Sequence, residues 1–578
     1  MTEYILETTS LNRDEQSENI LLLGNWCSYH LIDNNQVIVP YHWDDREKLF
    51  SDYKEIFRLY DLYLKNICNL LNRYHKVNYT EDYWRIVVGP WLYYFICIVF
   101  DRYEMLSLTS ETYKVRETSV ANYNIEDWVP CDYVEFKDFF VSQKWNYYLY
   151  SEILKKLKIF PLKEAGFHLK NNNEKYSRHE TWLKKTSKTL MFYITRFIPS
   201  SLKRVVFVEV DIRPKSLFYI LLKLKQFPIS YYKRKQPEID VIDLNKRKLN
   251  FQFDVDLSVI SNLLDYLIPL NIPSSYLEGY KKIVLESKKI YPKNVDIAVT
   301  SNAYFSNEHF KVWIAEKKER GAKLLVAVHG GHHGPALYNG PGKLTEDIAS
   351  VFYGWGWGKH TLPSPKLSRL KAIRIDNSNK SDILFIPYTL SQYSNHIDSS
   401  PISSTFEKCL KMQERLFVKF RQIDLLNNVV VRIKGNDFGW GLENRYRTHG
   451  VKRFADTKKE SLVDNLSTSG IVIVTYDSTV MLESFTLNVP TLLFFKKELW
   501  EMDPRAEKYF LELQSAGVLH YDENSLFSHV NDVFNNVALW WDSDVVQSAV
   551  NNFLSVYGVS NNNWKELWYK EIKDQLAL

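Results

Sequence analysis

Apolar residues recur at helical spacing through Ser51–Tyr74, where Ile56, Leu59, Leu62, Leu64, Ile67, Leu70 and Leu71 stand among charges. That spacing predicts a helix with one buried face. Ahead of it Val37–Val39 reads as a short strand, followed by the polar cluster Tyr41-His42-Trp43-Asp44-Asp45-Arg46. Ile86–Phe100 is apolar almost throughout and is closed by Arg85 and Asp101. It falls short of the ~20 residues that span a bilayer and is broken by Gly89-Pro90, so a buried helix is expected. The first 150 residues thus read as mainly helical, and Val205–Val210 as a strand.

A different period begins near residue 295. Val295–Thr300 predicts a strand, Asn307–Arg320 a helix ended by Gly321, and Lys323–Val328 a second strand. Strand, helix and strand within about 35 residues mark a parallel sheet. After the polar stretch Thr361–Lys380, read as an interdomain connection with Pro363 and Pro365, the pattern resumes. Strands are expected at Asp382–Pro387, Asn428–Ile433, Ile471–Thr475, Pro490–Phe495 and after Gly517–His520. Helices are expected at Phe406–Gln422, Leu462–Ser467, Thr479–Leu487 and Pro504–Ala516. The prediction is an α/β protein with two Rossmann-like domains facing a cleft, a helix-rich N-terminal region and C-terminal helices. Its expected divisions are 1–364 on the acceptor side, 365–535 for a nucleotide donor, and 536–578 packing back on the core.

Composition narrows the classes. A chain of 578 residues exceeds the ~250–300 at which single cores stop growing. A net charge of +5 is too small for the basic footprint of a nucleic-acid binder. Five cysteines without C-x-x-C spacing argue against a disulfide scaffold or zinc site and fit a reducing compartment. MTEYILETTS shows no basic region leading into an apolar run, so a cytoplasmic protein is expected. Lys223–Lys235, basic with aromatics, reads as a solvated face or as a peripheral contact with the inner face of a membrane.

Candidate chemistry gathers where glycine does. Residues 1–320 hold four of the 20 glycines, and 321–358 hold nine. In Val328–Gly334 (VHGGHHG) a strand ends at His329, and Gly330 and Gly331 allow a tight turn or close approach to a ligand. His329, His332 and His333 then lie where open α/β folds bind ligands, as acid, base or hydrogen-bond donor to a phosphate, or as exposed residues of a plain turn. In Thr475–Glu483 (TYDSTVMLE), Tyr476, Asp477, Ser478 and Thr479 stand at a helix start suited to an anion, and Glu483 lies one turn deeper. Asp477 or Ser478 as a simple N-cap is the competing reading. Arg432 and Lys434 end a strand, as cations for a pyrophosphate or as a solvated pair. Trp355 and Trp357 are placed to stack on a base or sugar, or to pack a domain seam. His42, Asp44, Asp45 and Arg46 form either a proton-accepting cluster or a capped helix start. The D-x-D triplets Asp254–Asp256 and Asp542–Asp544 adjoin none of these loops, and no metal is expected.

Seven stretches carry a family likeness: LLLGNWC (21–27), PYHWDDREKLFSDY (40–53), YWRIVVGPWLYYF (83–95), TSNAYF (300–305), VAVHGGHHG (326–334), YGWGWG (353–358) and TYDSTVMLESFTLNVPTLLFF (475–495). They resemble a family of bacterial transferases encoded among surface-carbohydrate genes. The later portion is similar to the nucleotide-sugar half of GT-B glycosyltransferases and to teichoic-acid-type glycerophosphotransferases. That resemblance implies a catalytic or phosphate-contacting role for His329, a phosphate cradle at Ser478 and Thr479, and a ribose contact at Glu483. The expected function is metal-independent transfer of a sugar from a nucleotide-activated donor, needing no further cofactor, to a surface-glycan, lipid-linked or protein acceptor. Transfer of a polyol phosphate from a CDP donor, sugar epimerisation, and non-catalytic glycan or nucleotide binding are the alternatives.

Overall fold

The computed structural model describes residues 2–12, 19–28, 36–171, 198–228, 242–253, 258–376 and 380–577. Three parallel sheets carry the fold. The C-terminal sheet comprises β11 (Ile383–Ile386), β12 (Val429–Val431), β13 (Arg453–Phe454), β14 (Ile471–Val474), β15 (Thr491–Phe494) and β16 (Leu519–His520). Its order is β13-β12-β11-β14-β15-β16, the doubly wound arrangement whose direction of winding reverses between β11 and β14. Strands such as β14 (IVIV) are buried throughout, as expected when helices cover both sheet faces. The helix Phe406–Gln422 has the predicted bounds and buries Phe406, Leu410, Phe417 and Phe420 along one stripe.

The middle sheet runs β10-β9-β8-β7-β6, from β6 (Val205–Val208), β7 (Ile297–Thr300), β8 (Lys323–Ala327), β9 (Val351–Gly354) and β10 (His360–Thr361). The connection after it contains a short helix, Pro365–Leu370, capped by Ser364. The C-terminal helix Trp564–Ala577 returns to this sheet, where Trp564, Trp568 and Ile572 pack with Val205, Phe207, Ile297 and Val299. The expected α/β architecture with two facing sheets is therefore present.

The N-terminal region departs from the reading as mainly helical. It holds a third parallel sheet, β3-β2-β1-β4-β5, built from β1 (Glu3–Glu7), β2 (Ile20–Leu22), β3 (Gln36–Ile38), β4 (Lys114–Asn122) and β5 (Leu162–His168). The strand expected at Val37–Val39 is β3, while β1 and β2, of five and three residues, are too short to show a period. The helix Gln143–Leu157 packs on β4, and the long helix Arg46–His75 packs against the apolar segment 86–100, where the helices Glu81–Val87 and Gly89–Thr112 meet at a bend of 69°. Gly89 sits at that bend because a Cβ there would lie 2.5 Å from Tyr60 Oη. No single described helix is long and apolar enough to cross a membrane.

Candidate functional site

The carboxyl ends of the middle and C-terminal sheets face each other across a charged cleft. His329 follows β8 and is exposed. Asp211 and Arg213 follow β6, Lys434 follows β12, and Glu483 lies on the helix Thr479–Thr486 that follows β14. Lys366 comes from the connecting helix and pairs with Glu483 Oε1 at 2.5 Å. The ring of His329 remains open to solvent, but the cleft walls crowd it. That crowding holds its pKa below the ordinary histidine value, against the pull of Asp211 and with the help of Lys366 and Lys434. The imidazole is neutral at pH 7 and able to accept a proton.

Arg369, one turn beyond Lys366, completes the cluster. Its Nε and Nη1 are buried and have no hydrogen-bond partner. Burial and the nearby Arg213 lower its pKa, while Asp211 and Glu483 oppose that shift. A guanidinium with two unpaired buried donors is costly by about 1–3 kcal/mol, and an anion in the cleft relieves that cost. Burial raises the pKa of Glu483 against the Lys366 ammonium. Lys366, Arg369, Asp211 and Arg213 were not singled out in the sequence. The only signal for the first two was a basic pair at i, i+3 inside a proline-containing connection.

The loop 329–334 does not simply turn towards a ligand. Gly331 N donates to Thr479 Oγ1 at 3.1 Å, and a Cβ on Gly331 would lie 2.8 Å from Leu482 Cδ1 and 3.2 Å from Thr479 N. This glycine permits contact between two protein backbones, which corrects its reading as a ligand-approach residue. Gly330 is less confined, with Thr479 Oγ1 at 3.9 Å from its Cβ position. Ser478 is the N-cap residue of Thr479–Thr486 but makes no side-chain capping bond, so the simple-cap reading fails for it. Tyr476 stacks on Tyr388 at 5.2 Å, closing the switch point between β14 and β11.

His332 faces the opposite way from His329. Its Nδ1 lies 3.4 Å from Asp477 Oδ2, and Asp477 is 2% exposed, so Asp477 serves neither as a cap nor as a solvent-reachable base. Burial opposes a charge on His332, but Asp477, Asp398 and Glu501 outweigh it and raise the pKa. Burial raises the pKa of Asp477 in turn, against His332. Asp398 is held well below the usual carboxylate range, against burial, by His396 and His332.

Several expected site residues serve the junction of the three units instead. Arg46 binds Glu501 through both carboxylate oxygens, at 2.5 and 2.7 Å, and donates to Ser400 O. Asp44 pairs with Lys408 at 2.7 Å, and Asp45 caps the helix Arg46–His75. His42 is buried 3.1 Å from Asp101 Oδ1. All three are occupied by these contacts, so the structure does not bring His42, Asp44 or Asp45 to His329. Arg432 is likewise taken up, donating to Asn465 Oδ1 and Glu460 O, whereas Lys434 is exposed. Trp355 is buried in the C-terminal core beside Val328 and Leu367, which excludes stacking on a ligand. Trp357 is partly open and packs on His333 at 4.8 Å, while His333 Nε2 meets Glu346 at 3.0 Å.

Among the described residues, His42, Asp52 and Glu104 bring potential metal-ligand atoms within 4.8 Å of one another. The Lys48 ammonium already lies 2.6 Å from Asp52 and 2.8 Å from Glu104, neutralising both carboxylates. Asp542–Asp544 forms a helix start capped by Ser543, and Asp254–Asp256 lies outside the described residues.

Among curated proteins, none matches the chain by sequence. Among solved structures, the chain is similar to a mutant of the Thermobaculum terrenum O-GlcNAc transferase, over 93% of this chain and 96% of that one. The identity is 9% and the TM-score 0.32, a likeness too loose to assign a substrate or a mechanism. The profile of the LIC12162 family transferases, in contrast, matches residues 4–572. That match spans nearly the whole chain, including all three sheets and the charged cleft between the second and third. The chain is a member of the LIC12162 family of transferases.

Proposed function

We propose that this transferase is a GT-B-like glycosyltransferase, moving a sugar from a nucleotide-activated donor to a surface-glycan or protein acceptor. The observation that carries the reading is the convergence of a neutral, solvent-open His329 and Lys434, at facing strand ends, with Lys366 and Arg369 of the connecting helix. The three cations would hold the donor phosphates and stabilise negative charge on the leaving group, the role that preorganised donors play in group transfer. His329 would accept the proton of the acceptor hydroxyl as the new glycosidic bond forms and the bond to phosphate breaks.

A cavity of about 580 Å³ beside Lys434, at the ends of β12 and β13, offers room for the nucleoside. Its lining carboxylates Asp437 and Asp456 suit ribose hydroxyls. Glu483, buried and paired with Lys366 of the connecting helix, is the other carboxylate for that role.

The helix Pro214–Lys223 starts directly after Arg213 and leaves Phe218 and Leu222 50% and 52% exposed beside Lys215. Such a face at the mouth of the cleft favours a lipid-linked acceptor at an anionic membrane. Of the basic stretch Lys223–Lys235, residues 229–235 lie outside the described residues.

The test is a thermal-shift screen against UDP-, GDP-, CMP- and CDP-linked donors, followed by product analysis for the one that stabilises the protein. Stabilisation by one donor and a glycosidic product support the reading. A phosphodiester product would make the enzyme a polyol phosphotransferase, and no stabilisation by any donor would overturn the nucleotide site.

A further inference from the structure

Beyond the Gly331 contact, the same loop opens onto a second concavity of about 630 Å³. Three units build it. Tyr53 comes from the long N-terminal helix, residues 333–339 and the helix Gly340–Ile348 from the middle unit, and the helices Pro504–Ser515 and Asp544–Tyr557 from the C-terminal part. None of the charged residues around His329 lines it.

The chemistry of its lining differs from that of the cleft. Tyr53, Trp357, Tyr509 and Tyr557 present aromatic rings. The charges between them are largely matched within the wall: Lys343 with Asp347 at 2.9 Å, Arg505 with Asp503 at 2.8 Å, and His333 with Glu346 at 3.0 Å. No cluster of free cations waits for a phosphate, and the wall is too polar for a lipid chain. Ring faces suit the C–H faces of a pyranose, and paired carboxylates still have lone pairs for its hydroxyls. Trp357 Nε1 and Tyr338 Oη, both among the lining residues, have no hydrogen-bond partner.

We propose that this cavity is a saccharide-binding site that holds the non-reacting sugar units of the acceptor. The saccharide class stands on the chemistry of the cavity, and the acceptor role rests on the glycosyl-transfer reading. His333 lines the cavity and His329 borders the cleft four residues earlier, so the Cα atoms of these two residues lie at most about 14 Å apart. On this proposal an extended glycan seated against Tyr509 and Trp357 passes the loop 329–334, which Gly331 and His332 hold on the C-terminal unit, to bring its terminal hydroxyl to His329.

The full-length protein is applied to an array of printed oligosaccharides, and the strongest ligand is titrated by calorimetry. Wild-type protein is expected to bind. Tyr509→Ala weakens binding about tenfold, the worth of one lost aromatic contact. Tyr509→Phe, which keeps the ring, binds as the wild type does, and so does His329→Ala, which leaves the cavity intact. Binding to none of the oligosaccharides overturns the proposal, as does a Tyr509→Ala protein that melts and binds like the wild type. Saccharide binding without stabilisation by any nucleotide donor leaves this site standing and removes the donor reading. Donor binding without saccharide binding does the reverse.

Discussion

His329 and His332 stand three residues apart in one loop and occupy opposite environments. His329 is open to solvent among lysines, with a lowered pKa, while His332 is enclosed among carboxylates, with a raised one. The difference lies in Gly331, which seats the loop on the Thr479–Thr486 helix and turns the two rings to different sides. One histidine is left open to solvent in the cleft, and the other fastens the middle unit to the C-terminal one. Sequence proximity within VHGGHHG thus concealed a division between chemistry and assembly.

The comparison breaks first at His329. Replacing it with Ala should lower turnover by about 10²–10⁴-fold with donor binding retained, as measured by kcat and by donor titration. Unimpaired turnover would remove its role as base. Arg369→Ala should weaken donor binding by about 10- to 100-fold, the worth of a charge-assisted contact, with little loss of melting temperature. Gly331→Ala should destabilise the fold by about 1–3 kcal/mol in urea titrations, because its Cβ meets Leu482 and the helix backbone. If that variant is as stable as the wild type, the two histidines are not held apart by this contact.

Smaller effects sharpen the contrast through pH. A general base acts when neutral, so kcat/KM, which reports the free enzyme, should rise with pH and level off, with an inflection below the ordinary histidine value of 6.5. Lys434→Ala removes a positive neighbour and should move that inflection upward. His332 carries the opposite sign: with a raised folded pKa, its stabilisation is complete below about 6.5 and is lost as pH rises through the folded value. Asp398 has a depressed folded pKa, so its contribution holds above about 3.9 and is lost on acidification through the folded value. Melting temperature measured against pH, with His332→Gln and Asp398→Asn, separates the alkaline and acid limbs.

In the middle and C-terminal sheets β6, β7, β8, β11, β12, β14 and β15 were legible because they are continuous apolar runs, whereas β9, β10 and β13, of four, two and two residues, were not. The helix Thr479–Thr486 was found from the hydroxyls at its start and Glu308–Lys318 from the glycine, Gly321, that follows it. Of the N-terminal sheet only β3 was read, at Val37–Val39; β1 and β2 offer five and three residues. In the site, position relative to strand ends led to His329, Lys434 and Glu483. It misled at Arg432, Asp44 and Trp355, whose partners come from distant segments such as Lys408 and Leu367. Lys366 and Arg369 escaped notice because a six-residue helix inside a polar connection gives too little period to read.

The most direct test of the charged cleft is calorimetric titration of wild-type, Arg369→Ala and His329→Ala proteins with UDP, GDP, CMP and CDP. The account predicts that one nucleotide binds the wild type, binds His329→Ala nearly as well, and binds Arg369→Ala about tenfold more weakly. Equal binding by wild-type and Arg369→Ala proteins, or binding of none of the four, would contradict it.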